Sequence, residues 1–158
     1  MHIHLDIAPR PKQSVRSKII WVGGKPRIKT YPDPELVAYQ NEIGYLLRKQ
    51  LPFGYRPLAN AVVIENLTFV FKAPKSLKKK YKLIIQEYES GISTKPLFRK
   101  ITPDFDNLSK PLMDACNKLL FKDDCLVVKV TEIITIYGNS PHISFDVRSI
   151  NSDGYETS

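Results

Sequence analysis

The stretch that most constrains this chain is Ala61 to Phe71, AVVIENLTFVF. It is β-branched, aromatic and long enough to cross a sheet, so the fold has to be built around a strand here. The flanking segments supply the other parts. MHIHLDI alternates Ile3, Leu5 and Ile7 against His2, His4 and Asp6, which is a strand pattern. Lys18 to Thr30 reads as a hairpin turned at Gly23-Gly24. Asp33-Pro34-Glu35 opens a helix, with Asp33 as cap and Pro34 at the first helical position. Leu36, Tyr39, Gln40, Ile43, Leu46 and Leu47 form its stripe, and Pro52 ends it after about Gln50.

After the long strand, Pro74 and Ser76 suit the start of a basic helix over Lys72 to Leu83. Ser90 to Ile101 reads as a loop that stays mobile until a ligand binds. Leu108, Leu112, Ala115, Cys116 and Leu119 fall at helical spacing, with Lys110, Asp114 and Lys118 on the opposite side. Leu126 to Tyr137 is a further strand, and Ile143, Phe145 and Val147 alternate in a last one. This order predicts an α/β (α+β) domain, one mixed β-sheet with helices packed on one face, over residues 1–150. Residues 151–158 are expected to be a flexible C-terminal tail.

Charge narrows the function. The net charge is +8, but it is not evenly spread. Residues 1–29 hold seven Lys/Arg against Asp6 alone, and residues 72–100 hold nine against Glu87 and Glu89. The rest of the chain is therefore net acidic, notably after Pro103. Basic arms around an acidic centre suit a polyanion held over a metal site, as in a metal-dependent nuclease. Solvated lysine faces would give the same count. No apolar run approaches the roughly 18 residues of a membrane helix, and the start lacks the order of a signal peptide. A cytoplasmic protein is expected. Cys116 and Cys125 fit neither a disulfide framework nor a four-ligand zinc site, and read as reduced buried thiols.

The acidic positions of interest are Asp104 and Asp106 in PDFDN and Asp123-Asp124 in FKDDC. In an extended segment Asp104 and Asp106 would project from one side while Phe105 turned to the core. A helix starting near Asp106 or Asn107 would bring the chain back to Asp123-Asp124. Two or three carboxylates at one spot suffice for Mg²⁺, which keeps several waters. Taken singly, Asp106 is equally readable as a helix cap and Asp123-Asp124 as a turn. Lys110, one helical turn after Asp106, either stands beside such a metal or pairs with Asp106 or Asp114. An EF-hand fails, because Leu108, Ser109 and Ala115 occupy positions that need a ligand, glycine and glutamate. His2, His4 and His142 have no nucleophile elbow nearby and read as surface residues.

Together, PKSLKKKY and TPDFDNLSKPLMDACNKLLFKDDCLVVKV closely resemble the RusA family of Holliday-junction resolvases, bacterial and prophage endonucleases. The hallmark is Asp-x-Asp-Asn-Leu-x-Lys opening a helix, then Asp-Ala, then Asp-Asp before a valine-rich strand. Here these are Asp104, Asp106, Asn107, Leu108, Lys110, Asp114-Ala115, Asp123-Asp124 and Val127-Val128. The likeness also takes in Pro74 to Lys80 and the opening Pro9 to Lys12, and it spans most of residues 5–147. Two positions depart from it: Thr102 stands where many relatives have lysine, and Ile134 or a neighbour where a strand lysine is common.

The resemblance implies a homodimeric, Mg²⁺-dependent endodeoxyribonuclease that resolves four-way DNA junctions by paired symmetric nicks in recombination and repair. Mn²⁺ is expected to substitute for Mg²⁺. Asp104, Asp106 and Asp124 would bind the metal, with Asp123 as the alternative member of its pair, and Lys110 would act at the scissile phosphate. Arg10, Lys12, Arg16, Lys75, Lys78, Lys79, Lys80 and Lys100 would hold DNA phosphates. A two-fold dimer would match a two-fold junction, with Ile19, Ile20, Trp21 and Val22 as its apolar surface. The competing readings are a noncatalytic basic junction- or RNA-binding module and a flap- or branch-cutting nuclease with the same site.

Overall fold

A computed structural model describes residues 1–150, so the expected tail at 151–158 lies outside the described residues. Strands β1 (His2–Leu5), β4 (Val62–Lys72), β5 (Val127–Val130), β6 (Ile133–Gly138) and β7 (His142–Ser149) form one mixed sheet. β1 runs antiparallel to β7, β7 antiparallel to β4, and β4 parallel to both β5 and β6. A separate two-stranded sheet is made by β2 (Arg16–Val22) and β3 (Lys25–Tyr31). Its turn is the expected Gly23-Gly24, both at positive φ (59° and 75°), which glycine adopts without a Cβ clash.

The long strand is not uniform. Ile64 and Leu67 both face the main core because Asn66, at φ 55°, adds an extra residue between them. Val62, Ile64, Leu67, Phe69 and Phe71 thereby keep to one face. The neighbouring strand, expected to run unbroken from Leu126 to Tyr137, is interrupted at the same level. Thr131 N–H reaches the Ile64 carbonyl and Leu67 N–H reaches that of Glu132, each at 3.0 Å, so the break absorbs the bulge.

Helices α1 (Pro34–Gln50) and α3 (Phe105–Cys116) cover that face. Asp33 caps α1 as expected, accepting the Glu35 N–H at 2.8 Å. Tyr39, Ile43 and Leu47 of α1 meet Leu108, Leu112 and Cys116 of α3, with Ile3, Leu5, Phe145 and Val147 of the sheet beneath. The mixed sheet of an α+β fold and its principal helical layer are thus as the sequence implies. Helix α2 (Lys79–Glu89) is the exception. Its buried Ile85 lies outside that core together with Val63, Val70 and Ile136, and a Cβ on Gly138 would strike both Val70 and Glu89. By strand alternation Val63 and Val70 point away from Phe69, so α2 covers the reverse face.

Helix α2 also begins later than expected. Pro74 to Lys78 forms a connecting turn, with Leu77 N–H bonded to the Pro74 carbonyl at 3.1 Å. The buried side chain that fixes the helix, Ile85, comes after the expected end at Leu83. The segment expected to be a mobile loop is held at its end: Phe98 bridges to Ile136, and Arg99 N–H reaches the Thr135 carbonyl at 2.9 Å. Of the two free thiols, Cys116 is buried, where desolvation raises its pKa to about 12, but Cys125 is exposed, against expectation.

Candidate active site

Asp104 is the residue that starts α3. Its carboxylate accepts the Asn107 N–H at 3.1 Å, and its own backbone is extended. The helix therefore begins at Phe105, earlier than expected, and Asp106 stands within its first turn. That corrects the expectation that Asp104 and Asp106 share one side of an extended segment: helical rotation replaces strand alternation between them. Phe105 is not turned to the core but is 57% exposed. Acidic residues at Asp104 and Asp106 both suit the positive end of the helix dipole.

Three anchors hold this helix start in place. Arg99 is the first, and sequence reasoning missed it. Its guanidinium donates to the carbonyls of Ile101, Thr102 and Pro103 at 2.7, 2.5 and 3.2 Å and lies 4.0 Å from the Phe71 ring centroid. One side chain thus fixes the backbone of the three residues before Asp104. The second anchor is Pro111, inside α3. Proline has no N–H, so the carbonyl one turn back, on Asn107, loses its helical partner. Lys12 N–H takes that carbonyl at 2.7 Å, which ties the basic N-terminal arm to the first turn of α3. The third is α1, whose Gln40 donates to the Pro111 carbonyl at 3.3 Å.

After α3 the chain turns through Lys118, at φ 65°, buries Phe121, and returns to Asp123-Asp124. Asp123 caps the short turn leading into β5, accepting the Cys125 N–H at 3.0 Å, which holds its carboxyl below the ordinary range. Asp124 faces α3. Lys110 Nζ donates to it at 3.2 Å and stands 3.0 Å from Asp114. Asp114 first and Asp124 second raise the Lys110 pKa, so the ammonium persists well above neutrality. The sequence left open a pairing of Lys110 with Asp106 or Asp114; the structure chooses Asp114 and adds Asp124.

Lys110, Asp114 and Asp124 meet on one side of α3, but the carboxylates do not form a finished metal centre. Among the described residues, no three His, Cys, Asp or Glu side chains stand together so as to hold a metal ion. The donor set nevertheless fits a hard cation: all its donors are carboxylate oxygens, and an ammonium already sits at Asp124 where a cation would be attracted.

The basic residues divide. Arg10 pairs with Glu35 at 3.2 Å, and Arg16 pairs at 2.6 Å with the buried Asp33, so both have partners within the fold. Burial would raise the Asp33 pKa, but the Glu35 N–H and Arg16 outweigh it and hold it low. Lys12 and Lys100 are exposed on the segments adjoining the start of α3. Lys75 and Lys78 lie in the turn before α2, and Lys79 and Lys80 in its first turn, with no side-chain cap and no acidic residue there. His2 and His4 are at the surface as expected, against Asp146 and Asp6, each at 2.9 Å, while His142 is half-buried with its ring centroid 4.7 Å from that of His4.

Comparison with family models gives the decisive observation: the model for endodeoxyribonuclease RusA matches residues 7–148. The chain belongs to the RusA endodeoxyribonuclease family. It is accordingly an enzyme that hydrolyses DNA, of a family that acts on Holliday junctions in recombination, and branched DNA is its partner. The RusA match covers every Lys and Arg of both basic segments, the whole of α3 and Asp123-Asp124. A comparison with curated proteins finds no match. Among the described residues no helix is long and apolar enough to cross a membrane.

Proposed function

We propose that residues 1–150 act as one nuclease unit that resolves four-way DNA junctions by paired symmetric nicks, using Mg²⁺ or, in its place, Mn²⁺. The observation that carries this reading is Lys110, held between Asp114 and Asp124 one turn from Asp106, in a chain of the RusA family. Asp104, Asp106 and Asp124 are the residues that would hold the cation, with Asp123 committed to its cap. A divalent cation there supplies Lewis-acid polarisation of the phosphodiester and activates water. Lys110 supplies fixed positive charge where the phosphorus gathers negative charge. Asp104 has two tasks, since the oxygen that caps α3 also orients the carboxylate. Clustered carboxylates repel one another, so cation binding should draw the site together.

A noncatalytic binder gives no reason for carboxylates where phosphate must approach. Symmetric nicking requires two sites, and a two-fold homodimer is the usual way to present them. Its apolar surface would be on the hairpin, where Ile19, Trp21 and Ile28 are 68%, 71% and 76% exposed. We place the enzyme in the bacterial cytoplasm, acting in recombination and repair and compatible with a prophage origin. The test compares a synthetic mobile four-way junction with a flap and a plain duplex, each in Mg²⁺. Paired nicks confined to the junction support the reading, and preferential flap cleavage would replace it with a branch-cutting nuclease. Light scattering at micromolar concentration should report about twice 18.1 kDa; a monomer, with or without junction, would leave single nicking as the better account.

A further inference from the structure

The hairpin β2–β3 has two unlike faces. Its register sets Lys18 opposite Lys29, Ile20 opposite Arg27, Val22 opposite Lys25 and Arg16 opposite Tyr31. On the other face Ile19 meets Ile28, Trp21 meets Pro26 and Ser17 meets Thr30. The run Ile19 to Val22, continuous in sequence, is therefore split between the two faces. One face is apolar, and the other carries Arg16, Lys18, Lys25, Arg27 and Lys29.

Both faces are open, since every residue of the two strands is exposed except the half-buried Ile20 and Tyr31. No acidic residue occurs between Ile7 and Pro32. Arg16 is held by Asp33, and Lys18 lies 5.8 Å from the Tyr31 ring centroid. Lys25, Arg27 and Lys29 pair with no carboxylate among the described residues. A lone two-stranded ribbon is marginal in water, and like charges directly opposed, as at Lys18 and Lys29, weaken it further. Such a face fits a polyanion. Alternate residues along β3 stand about 6.6–6.8 Å apart, and a duplex carries one charge per about 1.7 Å of axis, so each cation can meet a phosphate. The base of the hairpin adjoins the candidate site: Lys12 is bonded to α3, and Arg16 to the cap of α1.

We propose that the β2–β3 hairpin is a DNA-contacting arm whose cationic face, Lys18, Lys25, Arg27 and Lys29, binds the phosphate backbone of a duplex arm flanking the branch point. The inference rests on the proposed reading of the chain as a branch-cutting nuclease and adds where an arm of the substrate lies. Contacts to phosphate give affinity and orientation without sequence preference.

The test replaces Lys25, Arg27 and Lys29 by glutamine and measures binding of a labelled four-way junction in EDTA across a salt series. Affinity at low salt should fall at least about tenfold, and the slope of log affinity against log salt should flatten by about 2–3, each phosphate contact contributing about 0.9. A charge-preserving variant, Lys25→Arg with Arg27→Lys and Lys29→Arg, should keep the wild-type slope. An unchanged slope in the glutamine variant overturns the proposal. So does an equal loss in the charge-preserving variant, which would mean that the hairpin acts through its folding. If the glutamine variant instead changes mass in light scattering with an unchanged slope, the cationic face is itself a contact between copies of the chain and the proposal fails. The two readings separate cleanly: a wild type that binds with a slope the variant loses, yet cuts nothing, keeps the arm and loses the nuclease mechanism.

Discussion

Replacing Lys110 by methionine tests the centre of the site most directly, because the structure gives opposite expectations for stability and for activity. The Lys110 side chain is 49% exposed, and its ammonium is bonded to Asp114 at 3.0 Å and Asp124 at 3.2 Å. Half-exposed pairs are screened, each worth less than about 1 kcal/mol, and methionine keeps most of the aliphatic stem. The melting temperature should therefore move by no more than about 4–8 °C, the limit if both pairs contribute fully. Cleavage should suffer far more. A preorganised charge facing the transition state is worth about 10²–10³-fold in rate, or about 3–4 kcal/mol. Binding of the cation should go the other way, staying level or tightening, since Asp124 loses its competing ammonium. The assay is single-turnover cleavage of a labelled junction at saturating Mg²⁺, with calorimetric titration of Mn²⁺ alongside. A variant that cuts within about threefold of wild type would refute the assignment and leave Lys110 as a surface ion pair.

Asp104→Asn, Asp106→Asn and Asp124→Asn should each abolish cleavage while keeping junction binding in EDTA; asparagine also caps helices well, so α3 should survive at Asp104. Any one of them cutting at near wild-type rate would remove that residue from the site. Alanine at Lys78, Lys79 and Lys80 should weaken binding to all branched DNAs alike and flatten its salt dependence, and unchanged affinity and slope would make the start of α2 a solvated face. Arg99→Met should cost cleavage with little loss of junction affinity, because it frees the backbone of Ile101 to Pro103 ahead of Asp104; wild-type cleavage would show that those bonds position nothing. Asp33 is held below its ordinary pKa of 3.8, so its contribution to stability is present above that value and is lost as pH falls through the folded pKa. Asp33→Asn should therefore make the fall of melting temperature below about pH 4 shallower, and an acid limb identical to wild type would contradict this.

What the sequence revealed and what it concealed divide along physical lines. The hairpin and α1 were legible because their signals are local: two glycines at positive φ, and Asp33-Pro34 at a helix start. The interruption of Leu126 to Tyr137 was not, because its cause lies on another strand, in the extra residue at Asn66. For α2 the apparent start signals, Pro74 and Ser76, were outweighed by the position of the one side chain buried beneath the sheet, Ile85. Tertiary burial, not local propensity, set that boundary.

In the candidate site the residue types were legible but their geometry was not, for an aspartate before a helix gives the same signal whether it caps, ligates or does both. Asp104 does cap, and that act rotates Asp106 away from the shared face expected of an extended segment. Pro111 was the overlooked clue. A proline in the middle of a helix removes one bond from the ladder, and the carbonyl it frees must find a donor from elsewhere. Here that donor is the backbone of Lys12, which belongs to the basic arm the charge distribution had already singled out. The bond makes the arm and the first turn of α3 one structural unit. On the proposed reading, DNA drawn to the arm by charge would thereby be brought to the helix end that carries Asp104 and Asp106, which would extend the arm's role from affinity to the placement of the phosphate.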